Sequence, residues 1–282
     1  ATLRKIDTCS NLIFQLTHDA FHHSIEKDID GNLWVPSHIY PQSIQIKNIN
    51  RMPYEEGGYF DDGIIKLSQQ GEILFEKSVS EILIDNGMEY LIYVNSSNDP
   101  IHLNDIQPVD FDGDYWKRGD VFLSLRNQSM VLLYRPTTNK IIWKGTGPFF
   151  WQHDVDILDD HKISVFNNKI KGGLVDGNNE LIIYDFKKNQ YSKYLSQSLR
   201  ENRIRTISQG LNQILPNADL FIQETNYGRT LYFNADGSLR WEHLNRAENG
   251  KVYHIGWSRI LYSAQDIKIV NDFLNSKGKC ND

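Results

Sequence analysis

Apolar and polar residues alternate along this chain in short bursts, and each burst ends at Gly, Asn, Asp or Pro. Short runs rich in β-branched and aromatic residues, closed by turn formers, predict β-strands. They fall at 33–35, 64–67, 72–75, 121–125, 131–134 and 140–143, and again at 163–166, 181–184, 220–222, 230–233 and 238–241. Helical spacing is confined to 79–84 and to 265–274 near the C-terminus. Regular short strands with so little helix predict an all-β fold of the sandwich, barrel or propeller kind.

Internal repeats favour the propeller. A turn residue followed by a short strand ending in a bulky aromatic recurs at Gly71–Phe75, Asn139–Trp143, Asn189–Tyr194 and Gly237–Trp241, with a truncated copy at Asn11–Phe14. The full copies start 68, 50 and 48 residues apart, close to a four-stranded blade of about 40–50 residues with an enlarged first member. A second repeat opens the units. His23 and His153 each stand seven residues before an Asp-led turn, at Asp30 and Asp160. His102 precedes Asp112 by ten residues, Gly210 takes the aligned place in the fourth unit, and Tyr253–His254 opens the last.

These patterns predict one β-propeller domain over residues 1–282, with five or six four-stranded blades. The units fall at about 20–77, 102–144, 153–194, 204–243 and 252–270, and the N-terminal strand 11–16 is expected to close the ring. The first residues of each innermost strand would lie at one mouth of the central channel, so His23, His102 and His153 would converge there.

Composition narrows the function. The chain has 282 residues, 30 Lys+Arg against 36 Asp+Glu, and a net charge of −6. That balance argues against a general nucleic-acid binder. No apolar run approaches the ~20 residues of a membrane span. Hydrophobic residues make up 40%, enough for a packed core rather than a disordered chain. The two cysteines, Cys9 and Cys280, lie at opposite ends of the sequence. A ring that closes on itself would make a disulfide between them geometrically possible; two free thiols are the other reading.

Two segments carry most of the chemistry. One runs His102, Asn104, then Ser124 and Arg126; the other opens with Gln152–His153 and continues to Asn167–Asn168. In order and spacing these resemble the arylsulfotransferase (ASST) family, β-propeller enzymes that move a sulfuryl group between phenols without a nucleotide donor. His22–His23, Ser208–Gly210 with Leu215–Asn217, and Trp257–Arg259 resemble further blades of that family. The resemblance implies that His153 is the transiently sulfurylated nucleophile, with His102, Asn104 and Arg126 binding the anion and His23 completing the channel; His22 is the alternative to His23. It implies a phenolic sulfate donor, a phenolic acceptor and no cofactor. Together with the terminal cysteines it suggests an extracytoplasmic location, where disulfides persist.

The residue types suit the chemistry. A neutral imidazole is both nucleophile and leaving group, and a guanidinium forks onto sulfuryl oxygens. A second imidazole can exchange a proton with a phenol near neutral pH. Other readings remain. Three converging histidines could hold a divalent metal in the central channel, as in a lyase or hydrolase, or the propeller could bind an anion or a protein without catalysis. Asp28–Asn32 and Asp110–Asp114 resemble calcium loops faintly, but hairpin turns explain them. No phosphate-binding Gly-x-x-x-x-Gly-Lys loop is present.

Overall fold

A computed structural model describes residues 2–7, 9–17, 21–44, 59–94, 98–171, 174–175 and 177–275. The chain opens with a hairpin of β1 (Leu3–Ile6) and β2 (Leu12–Leu16). Four antiparallel four-stranded sheets follow. The first contains β3 (Glu26–Lys27), β4 (Leu33–Ile39), β5 (Asp61–Leu67) and β6 (Ile73–Ser78). Two helices, α1 (Val79–Asp85) and α2 (Tyr90–Val94), lead to the second: β7 (Leu103–Pro108), β8 (Val121–Leu125), β9 (Met130–Arg135) and β10 (Lys140–Gly145). The third has β11 (His153–Ile157) and β12 (Lys162–Asn167), a small hairpin of β13 (Ile170–Lys171) and β14 (Leu174–Val175), then β15 (Glu180–Asp185) and β16 (Gln190–Tyr194). Helix α3 (Ser196–Glu201) precedes the fourth: β17 (Leu211–Ile214), β18 (Leu220–Glu224), β19 (Arg229–Phe233) and β20 (Leu239–Leu244). Helix α4 (Ala264–Asn275) ends the described chain. All eleven predicted runs and both helical segments fall on these elements, the runs at 72–75 and 238–241 starting one residue before β6 and β20.

The sheets stack face to face in chain order, and alternation along the second strand of each shows why. In β8, Val121, Leu123 and Leu125 join a core with Trp34 and Ile64 of the first sheet, while Phe122 points the other way into a core with Val155 and Val165 of the third. In β12, Ile163 and Val165 face back and Phe166 faces forward to Leu220 and Ile222. Such strands are apolar on both faces because both faces are covered. Exposure rises outward, and every residue of β20 is exposed. Ser78 caps α1, its hydroxyl accepting from the Glu81 N–H.

Two expectations need correction. Strand β2 pairs with β1, not with a strand of the last unit, because Leu3 and Phe14 pack on Val35, Ile65 and Leu67 of the first sheet. The segment 252–263 forms no strand beyond a single bridge between Arg246 and Val252. Side chains satisfy its backbone instead: Gln223 accepts from the Ser258 N–H and Gln213 from the Ile260 N–H. Trp257 and Ile260 cover the open face of the fourth sheet, and Trp257 Nε1 donates to Glu26 in the first sheet at 3.1 Å. This irregular segment therefore touches both the first and the fourth sheets. The Asp28–Asn32 loop is a hairpin turn, with Asp28 accepting from the Asp30 and Asn32 amides. Cys280 lies outside the described residues, so its expected pairing with Cys9 does too.

Candidate active site

The turn before β7 is built by hydrogen bonds from the turn after β8. The amides of Arg126 and Asn127 donate to the carbonyls of His102 and Ile101, both at 3.0 Å, and Asn127 Nδ2 donates to the Asp99 carbonyl at 2.7 Å. His102 and His23 both adopt left-handed backbone, with φ of 56° and 57°. L-residues visit that region rarely, and such strain collects at functional sites. Ser124 and Gln152 tie the second and third sheets together: Gln152 Nε2 donates to Ser124 Oγ at 3.1 Å and to the Met130 carbonyl at 2.9 Å.

These turns bring His23, His102 and His153 together. The rings of His23 and His102 are 4.9 Å apart, and those of His23 and His153 are 5.8 Å apart. Their tautomers follow from their partners. The Asp99 carboxylate accepts from His102 Nδ1. His102 Nε2 is then the acceptor in its 3.0 Å contact with His23 Nε2, so His23 donates. His23 Nδ1 keeps a lone pair and has no partner among the described residues. For His153, Asn168 Oδ1 accepts from Nδ1 at 2.7 Å. Asn168 is oriented by its own amide, which donates to the Thr206 and Gln209 carbonyls. The lone pair of His153 therefore sits on Nε2, where it accepts the Gln209 N–H at 3.0 Å.

Electrostatics keep the His23 and His153 rings neutral. Burial is the main cause, with neighbouring positive groups adding to it. His153 is pushed down to about 3 by burial and by the charges of Arg126 and His102, against the Asn168 bond. Burial, aided by the fixed charge of Arg126, pushes His23 far below the usual histidine range. Burial lowers His22 to about 4. Burial alone would raise Asp99, but the hydrogen bond and charge of His102 hold it below the ordinary carboxylate value.

Arg126 stacks its guanidinium over the Trp151 ring at 4.2 Å and reaches Asn127 Oδ1 at 2.7 Å. Among the described residues no carboxylate lies within ion-pair distance of it, so its charge is available to an anion. Asn104 is placed differently. It is fully buried, its Nδ2 donates to the Gln152 carbonyl at 2.8 Å, and it touches none of the three rings by hydrogen bond. It skips pairing at a bulge in β7, as Asp154 does in β11. Its amide holds the start of β11, and its Oδ1 has no partner among the described residues.

A divalent metal on His23, His102 and His153, the alternative expectation, would have to displace one of the two hydrogen bonds of His153, with Asn168 Oδ1 or with the Gln209 N–H. Sequence reasoning also missed several residues. Asp99 lies three residues before His102, and a carboxylate at that spacing in a turn was a usable signal. Asn168 stood within the quoted Gln152–Asn168 segment. Gln209 lies in a loop matched to a non-catalytic blade. His38 and Asp62 left no local signal, because β4 and β5 bring them beside His22 only in the folded sheet, pairing 38 with 62.

Stacked antiparallel sheets gather five imidazoles, and an arginine with no ion pair among the described residues, into one histidine-lined site. The chain belongs to the arylsulfotransferase (ASST) family, whose family model matches residues 1–246. Among solved structures it is similar to a protein of unknown function from Bacteroides caccae, at 11% identity and a TM-score of 0.52, over 85% of this chain and 73% of that one. It shows weaker likeness to a catalytically inactive virginiamycin B lyase from Staphylococcus aureus with quinupristin (13% identity, TM-score 0.42, 86% and 73% coverage). The WD40 β-propeller domain of Doa1 is comparable (11% identity, TM-score 0.40, 81% and 73% coverage). No curated protein matches the chain.

Proposed function

We propose that this chain carries a sulfuryl group from an aryl sulfate ester to a phenolic acceptor in two half-reactions, with His153 as the carrier. One observation supports this above the others: Asn168 Oδ1 accepts a hydrogen bond from Nδ1–H, so the lone pair of a buried, neutral His153 stands on Nε2. In the first half-reaction Nε2 bonds to sulfur as the bond from sulfur to the aryl oxygen breaks, and that electron pair leaves with the phenolate. Binding of the anionic donor brings a proton onto His102 Nε2, opposite the Nδ1 held by Asp99, and His102 passes it to the phenolate. The acceptor phenol returns a proton to His102 as its oxygen attacks the sulfur of the adduct and the bond to Nε2 breaks.

Arg126 supplies fixed positive charge for the sulfuryl oxygens. The Gln209 N–H occupies the Nε2 lone pair in the resting protein, so attack requires it to release; it then donates to a sulfuryl oxygen of the adduct. Family membership supports small aryl substrates. We read the sheets as blades of a five-unit propeller, with β1, β2 and the segment 252–263 in the place of the fifth unit. An extracytoplasmic location and a Cys9–Cys280 disulfide belong to the same proposal.

Initial rates with an activated aryl sulfate and varied phenol test the route. A carrier mechanism gives parallel double-reciprocal lines, and His153→Ala lowers kcat/KM by at least about 1,000-fold. Intersecting lines, or full activity in His153→Ala, would exclude it. The same Gln209 contact favours a second reading, a non-catalytic anion-binding pocket, which would show anion binding and no turnover.

A further inference from the structure

Beside the three channel histidines lies a second cluster that the sulfuryl-transfer route does not use. His22 Nε2 and His38 Nε2 each stand 3.5 Å from the same oxygen, Asp62 Oδ1. The three ligating atoms lie within 4.8 Å of one another. Asp62 is fully buried, and among the described residues neither of its oxygens has a hydrogen-bond partner of normal geometry; the same holds for His22 Nε2. The Leu103 backbone amide offers the carboxylate only a loose contact. A buried carboxylate left this way is costly, whereas a coordinated ion would satisfy it.

The dimensions fit an ion. A tetrahedral ion with bonds of about 2.1 Å holds its ligand atoms about 3.4 Å apart, against the 3.5 Å found for both imidazole–carboxylate pairs. The second atoms of the ligands are positioned too: the Ser37 backbone hydrogen-bonds the His22 ring, and the His38 ring stacks on Phe60 at 4.6 Å. Orientation of this kind is how metal-ligating imidazoles are held. His22 and His38 remain about one-fifth to one-quarter exposed, which leaves a side open for water.

We propose that His22 Nε2, His38 Nε2 and the Asp62 carboxylate bind one divalent ion of the zinc class, with a fourth position open to solvent. Two imidazoles and one carboxylate suit Zn2+ and its spectroscopic substitute Co2+. The His22 and His102 rings are 6.5 Å apart, so the ion would add positive charge at the border of the anion pocket. The proposal does not depend on sulfuryl transfer.

The full chain, stripped with a chelator and titrated with Co2+, should develop visible absorption of a four- or five-coordinate ion that saturates at one equivalent and is displaced by Zn2+. Asp62→Asn and His38→Gln should each weaken Co2+ binding by at least about 100-fold, the upper end of what changes outside the ligand set cost. His161→Ala, in the Asp159–Asp160–His161 surface group, should leave binding unchanged. No band in the wild-type protein at millimolar Co2+ would overturn the proposal whatever the folding of the variants. So would binding that survives both ligand substitutions or disappears in His161→Ala.

Discussion

Asn168 decides which nitrogen of His153 can react. Its Oδ1 accepts from Nδ1 at 2.7 Å, and its amide is pinned by two backbone carbonyls, so it cannot turn to offer a donor without losing both. Asn168→Leu should free the ring to exchange tautomers and lower kcat by about 10–100-fold with little change in KM, the range seen when the partner of a functional imidazole is removed. Aryl sulfate turnover measures it; an equal loss in KM alone would place Asn168 in substrate binding instead.

The same residue gives a pH signature. Burial first, then the charges of Arg126 and His102, hold folded His153 at about 3, below the ordinary 6.5. Between those values the unfolded chain binds one proton more than the folded chain. The stability from this group is therefore whole above about 6.5 and is lost progressively as the pH falls toward 3. The slope approaches about 1.4 kcal/mol per pH unit. In denaturant titrations, the stability of wild type relative to His153→Gln should fall by about that amount per unit between roughly pH 6 and pH 4. A constant difference would mean that His153 titrates normally in the fold.

At the scale of elements, two segments place the site. Gly210 has φ of 101°, and a Cβ there would stand 2.6 Å from both Phe166 and Thr206 side-chain carbons. Gly210→Ala should cost about 2–4 kcal/mol from backbone strain and overpacking, and the neighbouring Gln209 amide should move off His153. Thermal unfolding reads the first effect and the second appears in the His153 ring resonances.

The segment 252–263 sends Arg259 between Glu26 and Asp154, the latter at 3.4 Å. Burial raises Asp154 to about 6, Asn212 and Arg259 limiting the rise, and burial raises Asp105 and Asp156 well above the carboxylate range. Arg259→Met should destabilise by roughly 2–4 kcal/mol, below the full value for a buried pair because the guanidinium keeps some solvent. The loss should be larger at about pH 8 than at about pH 5, where Asp154 holds a proton and needs no cation. An equal loss at both pH values would show that Arg259 acts through packing.

Strand legibility has a physical basis in the same elements. The middle and outer strands, such as β8 and β9, carry apolar runs between Gly, Asn and Asp turns, and they were readable one by one. The first strand of each sheet was legible only through its opening residues. β3 has two residues, and β7 and β11 carry Asn104, Asp105, Asp154 and Asp156, which no apolar pattern reveals. Strand formation fails in 252–263 because side chains from β17 and β18 take its backbone groups, a long-range event with no local trace.

For the whole molecule, the repeat register expects His23 and His102 to converge, and their rings stand 4.9 Å apart because equivalent turns in stacked sheets face one place; Arg126 was singled out by the family resemblance alone. His153 also arrives, but in a different backbone position: His23 and His102 share a left-handed φ that His153 lacks. Asp99 and Asn168 left only weak local signals, a carboxylate three residues before His102 and an amide at the end of the quoted segment, and His38 and Asp62 left none. They reach the site from the backs of turns and from across a sheet, where contact depends on three-dimensional packing and not on spacing.

The central claim is that His153 carries the sulfuryl group. Intact mass spectrometry of the full chain, quenched in base after brief exposure to an activated aryl sulfate without acceptor, tests it most directly. The account predicts one added sulfuryl group per chain, lost when phenol is added, absent in His153→Ala and retained in a correctly folded Asn104→Ser. An unchanged mass in wild type, or an adduct that persists in His153→Ala, would contradict it.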